Sequence, residues 1–157
     1  MAAVAIVAAL VAGCAGSGGG KGGKGKPACK PPATPTVCFS SNIQPIFNKS
    51  CALSSCHVPA AQFPDLSAGD AYHAIVGVKS RQQANLQLIN PGNPANSYIV
   101  RKIIPPPSPG PDAISGVQMP QGCPAAPANG AQCLTADETS ALSQWVTECA
   151  LNTTPCP

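Results

Sequence analysis

Two thiols and an imidazole stand close together in the first half of the chain. Cys51 and Cys56 are separated by four residues, and His57 directly follows the second thiol. A cysteine pair with an adjacent histidine can attach haem covalently, because each thiol adds to one vinyl group and the imidazole reaches the iron on the same face. The segment therefore predicts covalent haem attachment through Cys51 and Cys56, with His57 as an axial ligand.

The four-residue spacer leaves two other interpretations open. Most sites of this kind have two residues between the cysteines, and four fit the vinyl separation if the extra residues bulge outward. In an exported protein Cys51 and Cys56 could instead form a disulfide, with His57 incidental. The three side chains could also bind zinc with a fourth ligand, although no second Cys/His pair stands at ligand spacing. We expect haem.

Met119 is the candidate for the sixth position of the iron. It lies in a Gln-Met-Pro loop and is the only methionine apart from Met1, and its thioether is a polarisable ligand. His73 is the only other histidine, but it lies off the apolar stripe of its predicted helix. Three alternatives stay open: ligation by His73, an open or water-bound position, and a Met119 that only fills the core.

Several helices are predicted to position these residues. Their starts, taken from caps and apolar periodicity, are Ser41 or Asn42, Ser67 with Asp70 as a capping box, Asn93-Pro94, and Thr135 with Glu138 as a second capping box. Tyr98 and Trp145 are expected to be core and haem-wall residues rather than catalytic groups. No stretch alternates with period two, so the predicted fold is all-α with long Pro-rich loops.

From about Phe39 to Leu151 the chain resembles the small single-haem domains of exported bacterial c-type cytochromes. The likeness consists of the Cys-x4-Cys-His site after a helix, an Ile-x-Pro-Gly-x-Pro turn at 89–94, the Gln-Met-Pro loop, and a C-terminal helix of the Leu-Thr-x-x-Glu type. Some c-type cytochromes, especially multihaem ones, carry the longer spacer. The resemblance implies a small helical domain wrapped round one haem c, with Met119 as the sixth iron ligand.

The N-terminus is typical of a lipoprotein signal peptide over residues 1–13. Residues 2–11 form an uncharged apolar run, which is too short for the roughly 20 residues that span a bilayer. The run ends in Leu-Val-Ala-Gly-Cys, which resembles a lipobox, so Cys14 is expected to carry lipid; a plain cleaved signal is the alternative. Residues 14–37 are predicted to be a Gly/Lys/Pro-rich tether, and residues 38–157 the cytochrome c-like domain. This arrangement predicts a bacterial envelope protein, lipid-anchored at the periplasmic face or outer membrane.

The cysteines divide evenly once these roles are assigned. Lipid on Cys14 and haem on Cys51 and Cys56 leave an even set of disulfide candidates, which are Cys29, Cys38, Cys123, Cys133, Cys149 and Cys156. Many pairings are possible. Short-range closure favours Cys123–Cys133, and we expect Cys29–Cys38 with Cys149–Cys156. The rival arrangement pairs Cys38 with Cys149 or Cys156 and would tie the terminal helices together.

The charge distribution argues against a nucleic-acid partner. The formal net charge is +3, but four of the nine positive charges are the lysines at positions 21, 24, 26 and 30, so the predicted domain is nearly neutral. Those lysines could face anionic lipid headgroups or only increase solubility. No catalytic triad, phosphate-binding loop or carboxylate pair is present.

These observations together predict an electron-transfer protein with redox protein partners. Iron with His and Met ligands has no open position for a substrate, so we do not expect an enzyme. One alternative is a haem-based peroxidase-like enzyme or gas or redox sensor whose sixth position opens. The other is a haem-free surface lipoprotein stapled by disulfides.

Overall fold

The structure is a computed structural model that describes residues 29–104 and 114–153. The predicted signal peptide, the lipidation residue Cys14, the first half of the tether and Cys156 lie outside the described residues. Within the two ranges the chain is helical, with isolated β-bridges and no regular strand. The helical fold class predicted from the sequence is therefore confirmed for this part of the chain.

Short α-helices joined by long turns make up the described part. Their bounds are α1 Gln44–Ser50, α2 Ala71–Ile75, α3 Tyr98–Ile103 and α4 Ala136–Thr147. A π-helical turn, Phe39–Ile43, runs directly into α1, and 3-10 turns cover Pro94–Asn96 and Ala128–Gly130. Helices of one or two turns are marginal alone, so packing must hold α1 to α3 in place. No helix in the described ranges has the length and apolarity needed to cross a bilayer.

Helix α4 begins where the sequence predicts. The Glu138 N–H donates to the Thr135 hydroxyl at 3.2 Å, and the Thr135 N–H donates to the Glu138 carboxylate at 2.9 Å. This reciprocal capping box satisfies two backbone donors that a helix start leaves unpaired. The other predicted capping box, Ser67 with Asp70, is wrong, because Ser67 donates its N–H and hydroxyl to Asp65 instead.

The predicted second and third helices begin later than expected. Gly69 adopts a φ of +96°, so α2 starts only at Ala71. Pro94 opens a 3-10 turn capped by the Asn93 side chain, and Ser97 then adopts an extended conformation that bridges to another segment. Tertiary pairing at Ser97 therefore interrupts the helix that local periodicity predicts.

An aromatic cluster forms the centre of the core. Phe39 lies 6.2 Å from Phe47 and 5.3 Å from both Tyr72 and Trp145, measured between ring centroids. Trp145 is fully buried, and its indole N–H donates to the Leu151 carbonyl at 2.9 Å. These rings come from the π-turn, α1, α2 and α4. The cluster therefore packs the first and last helical elements of the described part together, next to the segment that carries the thiols.

The disulfides differ in part from the expected pairing. Cys123–Cys133 is confirmed. The expected Cys29–Cys38 and Cys149–Cys156 pairs are wrong, because Cys29 bonds Cys149 across 120 positions. Cys38 is also disulfide-bonded, to none of the other described cysteines. A long-range pair of this kind depends on the path of the chain, which residue spacing does not reveal.

Residues 29–37, assigned to the tether from their composition, are attached to the helical domain. Besides the Cys29–Cys149 bond, the Glu148 carboxylate accepts hydrogen bonds from the Thr36 N–H at 2.9 Å, the Thr36 hydroxyl at 2.6 Å and the Val37 N–H at 3.0 Å. These contacts are covalent or polar. Residues 29–37 can therefore attach to the helical domain although they contain few apolar side chains. The domain therefore begins by residue 29 rather than at residue 38.

Candidate functional site

A cavity of about 630 Å³ brings the predicted site residues together. Cys51, Cys56, His57 and Met119 all line it, and its volume lies in the range of roughly 300–1,000 Å³ typical of ligand pockets. His73 is not part of the lining; it is exposed on α2. Of the two candidates for a sixth ligand, the cavity therefore includes only the methionine.

Backbone hydrogen bonds at the end of α1 arrange the two thiols. The Cys51 N–H donates to the Phe47 carbonyl at 2.8 Å, the Cys56 N–H to the Leu53 carbonyl at 2.8 Å, and the His57 N–H to the Cys51 carbonyl at 3.0 Å. The two serines of the spacer are exposed. The first half of the spacer is partly buried, with Ala52 packed against the core, and Ser55 lines the cavity together with both cysteines.

Both site cysteines are free thiols. Burial and, to a lesser extent, the neighbouring Cys56 together raise the pKa of the Cys51 thiol to about 12, so Cys51 is a neutral S–H at physiological pH. Because both sulfurs are free, the alternative Cys51–Cys56 disulfide is not formed in this structure. Among the described residues no group of three or more His, Cys, Asp or Glu side chains could hold a metal ion, so the ligand set of a zinc site is not assembled there.

The ring of His57 is held by a backbone acceptor. Its Nδ1 lies 3.1 Å from the Pro64 carbonyl oxygen, so Nδ1 carries the proton and Nε2 keeps its lone pair. Burial lowers the pKa of His57 and the charge of Lys102 lowers it slightly more, against the opposing hydrogen bonds to the backbone of Pro64 and Gln62. A neutral imidazole with a free Nε2 is the form that binds a metal.

Helix α3 positions the loop of Met119. The Met119 N–H donates to the Lys102 carbonyl at 2.7 Å. The Lys102 ammonium donates to the carbonyls of Ser115, at 3.0 Å, and Val117, and the Ser115 N–H donates to the Tyr98 hydroxyl at 3.0 Å. One face of α3 therefore fixes three points of the loop, and Tyr98 also lines the cavity as the expected wall residue.

Two site residues were not identified from the sequence. Lys102 is buried, and burial lowers its pKa; its position four residues after Tyr98, on the same face of α3, was the available signal. Asn129 lies in a loop rich in Ala, Pro and Gly, and its Nδ2 is 3.6 Å from the Cys56 sulfur, a contact that no local pattern indicates. Trp145, expected as a core or wall residue, is core and does not line the cavity.

Among the described residues, the cavity lining carries cations but no carboxylate. Arg81 and Lys102 line it, whereas no described Asp or Glu does. The Arg81 guanidinium lies 3.8 Å from the centroid of the exposed Phe63 ring. The Ser50 hydroxyl is buried in the lining and has no hydrogen-bond partner among the described residues. The lining therefore suits a largely apolar group that carries negatively charged substituents.

Comparison with known proteins adds a fold likeness. No family model and no curated protein matches the chain. Among solved structures it is similar to a chain of Kuenenia stuttgartiensis Hydrazine Synthase, with a TM-score of 0.50 and 22% sequence identity. The match covers 77% of this chain but only 17% of that chain, and at this identity the likeness shows a shared fold alone.

Proposed function

We propose that this chain is a c-type cytochrome that carries one covalent haem and transfers electrons between protein partners. The observation that carries the proposal is the shared cavity lined by Cys51, Cys56, His57 and Met119. Each thiol would add across one vinyl group, forming a C–S bond while its hydrogen goes to the other vinyl carbon. The two additions balance without an oxidant, so free thiols are the state that attachment requires.

The remaining lining supports the same cofactor. His57 offers Nε2 and Met119 offers its thioether, a ligand pair that occupies both axial positions of haem iron. Arg81, which has no carboxylate beside it among the described lining residues, would pair with the negatively charged haem propionates. Haem supplies one-electron transfer, and the protein supplies the ligands, the apolar wall and the charge balance.

The membrane part of the proposal rests on the sequence. Lipid on Cys14, after removal of residues 1–13, would anchor the domain in the bacterial envelope. Because the described domain begins by residue 29, the free tether is shorter than composition predicts and spans residues 15–28. A coil of about fourteen residues of that composition would span roughly 20 Å root-mean-square, which would keep the haem domain near the bilayer.

The second candidate function is a haem enzyme or sensor. It requires that the sixth position opens, and Met119 lies in a loop whose preceding residues, 115–118, are exposed. The name of the structural neighbour denotes a synthase. Electron transfer is the first choice because the described lining includes Met119 and no acid or second histidine. The loop of Met119 is held to α3 by hydrogen bonds at Ser115, Val117 and Met119.

The test of covalent attachment is extraction of the purified holoprotein. Haem colour should stay with the polypeptide on a denaturing gel and after acid–organic extraction, because thioether bonds survive both treatments. The double variant Cys51→Ser/Cys56→Ser should lose all of it. Cys123→Ser/Cys133→Ser is the matched control, since it also removes two cysteines but should keep the haem. Complete extraction of haem from the wild type would overturn the cytochrome proposal.

A further inference from the structure

A carboxamide from a distant loop lies against the second site thiol. Asn129 and Cys56 are 73 positions apart, yet Asn129 Nδ2 is 3.6 Å from the Cys56 sulfur. Sulfur is a weak, large acceptor, so its hydrogen bonds are longer than those to oxygen. Asn129 also lines the cavity. Its N–H therefore points to the atom that would join the protein to the edge of the haem.

The loop that carries Asn129 is constrained around this contact. The Cys123–Cys133 disulfide closes it, and the Ala128 N–H donates to the Gln121 carbonyl at 2.9 Å across it. Asn129 itself has a φ of +55°, a left-handed conformation that costs energy for residues other than glycine and that asparagine tolerates better than most. Glycine at position 129 would relieve this strain. The chain has asparagine instead, and its side-chain N–H contacts the Cys56 sulfur.

We propose that Asn129 donates a hydrogen bond to the thioether sulfur formed by Cys56 and thereby raises the reduction potential of the haem. The inference rests on the covalent haem proposed above and adds the control of its potential. The N–H is the positive end of the amide dipole. Reduction adds an electron to the cofactor, so a positive dipole end at the macrocycle edge stabilises the reduced form more than the oxidised form.

The test compares Asn129→Gly with the wild-type holoprotein. Glycine adopts a positive φ freely, so this variant keeps the loop conformation and removes only the donor. At a fixed applied potential its ratio of reduced to oxidised haem should fall by about two- to tenfold, the factor that corresponds to the net free energy of one hydrogen bond. The C–S stretching band in the resonance Raman spectrum should shift as well.

Two further variants make the result specific. Asn129→Asp replaces the donor with an anion and should lower the ratio more than Asn129→Gly does. Gln132→Ala removes an exposed polar side chain from the same disulfide-closed loop that does not line the cavity, and should change neither the potential nor the C–S band. A denaturant midpoint for each holoprotein shows that the variants are folded.

The outcomes separate this inference from the proposed function. Covalent haem with an unchanged potential and C–S band in Asn129→Gly would overturn the role of Asn129 and leave the cytochrome proposal standing. Absence of covalent haem from the wild type would overturn both. A potential that falls equally in Gln132→Ala would show that any change in this loop acts, and the specific hydrogen bond would then be rejected.

Discussion

The proton on Nδ1 of His57 decides what its imidazole can do. The Pro64 carbonyl accepts that proton, so the other ring nitrogen is available to a metal and cannot donate. The lowered pKa of His57, due mainly to burial, keeps the ring from acquiring a second proton near neutral pH. The Pro64 carbonyl thus fixes which ring nitrogen carries the proton, and burial favours the neutral ring that can bind a metal.

Whether Met119 binds the iron distinguishes an electron carrier from a haem enzyme. If its thioether closes the sixth position, Met119→Ala should open the site, bind carbon monoxide readily and lower the reduction potential, because thioether sulfur favours ferrous iron. The wild type should be low-spin in both oxidation states and turn over peroxide slowly. Absorption spectra with and without carbon monoxide, together with a redox titration, measure these properties.

His73→Ala is the control for that substitution. His73 is exposed on α2 and outside the cavity, so its removal should leave the spectra and the potential unchanged. A wild-type protein that is high-spin and reacts quickly with peroxide would contradict a closed sixth position. The enzyme or sensor function would then take the place of electron transfer.

At this scale the sequence predicts what is contiguous and misses what the fold brings together. Cys51, Cys56 and His57 lie within seven consecutive positions, so their joint chemistry can be recognised without a structure. Lys102 and Asn129 carry no such pattern, since a lysine in a short helix and an asparagine before glycine are both common surface features. Their roles depend on which loop packs against them.

Helix α3 is short but carries the second half of the site. Burying an ammonium group is costly unless it is hydrogen-bonded, and Lys102 meets that requirement with the carbonyls of Ser115 and Val117. Its own carbonyl accepts the Met119 N–H. The helix and the methionine loop therefore stabilise each other, and neither would keep its geometry without the other.

Lys102→Met is expected to loosen the methionine loop. The variant keeps a side chain of similar length but removes the ammonium donor from the Ser115 and Val117 carbonyls, at a cost of about 1–3 kcal/mol. The Ser115 carbonyl keeps only its longer contact to the Tyr98 hydroxyl, at 3.4 Å. The fraction of low-spin haem should fall and carbon monoxide should bind faster, as measured by absorption and flow kinetics. Lys79→Met, at an exposed lysine, should show neither effect. An unchanged spin state in Lys102→Met would contradict the positioning role.

The helix starts show when local signals suffice. Thr135 and Glu138 cap each other within one turn, so the start of α4 follows from four residues. Ser67 has the same spacing to Asp70, but Asp65 competes successfully for its donors. At Ser97 a bridge to a distant segment replaces helix. The local prediction holds where no nearby acceptor or tertiary partner offers the backbone an alternative.

For the whole molecule, the sequence predicts a lipid anchor followed by a haem domain. Cys14→Ser should release the protein from membranes, because a free tether of this composition has nothing else to insert into a bilayer. Membrane and soluble fractions of cells, assayed by covalent haem, measure the partition. A Ser17→Ala variant should stay in the membrane fraction. A wild-type protein found wholly in the soluble fraction would leave the plain cleaved signal as the correct interpretation.

The attachment of residues 29–37 to the end of α4 gives the whole domain a pH dependence. Although burial acts to raise the pKa of Glu148, hydrogen bonds from Thr36, Gln144 and Val37 hold that pKa below its ordinary value. A carboxylate whose pKa is lower in the folded state stabilises the fold at pH values above its unfolded pKa. That stabilisation is lost as the pH falls through the folded pKa. The free energy of unfolding should therefore decrease as the solution is acidified below about pH 5.

Glu148→Gln tests whether this carboxylate is responsible. Its neutral amide still accepts one hydrogen bond, but its NH₂ group opposes the N–H donors of Thr36 and Val37. Near pH 7 the variant holoprotein should unfold with about 2 kcal/mol less free energy than the wild type. The difference should shrink as the pH falls through the lowered pKa of Glu148, because the wild-type carboxyl is then protonated as well. Asp137→Asn removes an exposed carboxylate from α4 and should leave the pH dependence nearly unchanged. A wild-type to Glu148→Gln difference that stays constant across this range, in urea unfolding followed by tryptophan fluorescence, would mean that packing rather than charge holds residues 29–37 to α4.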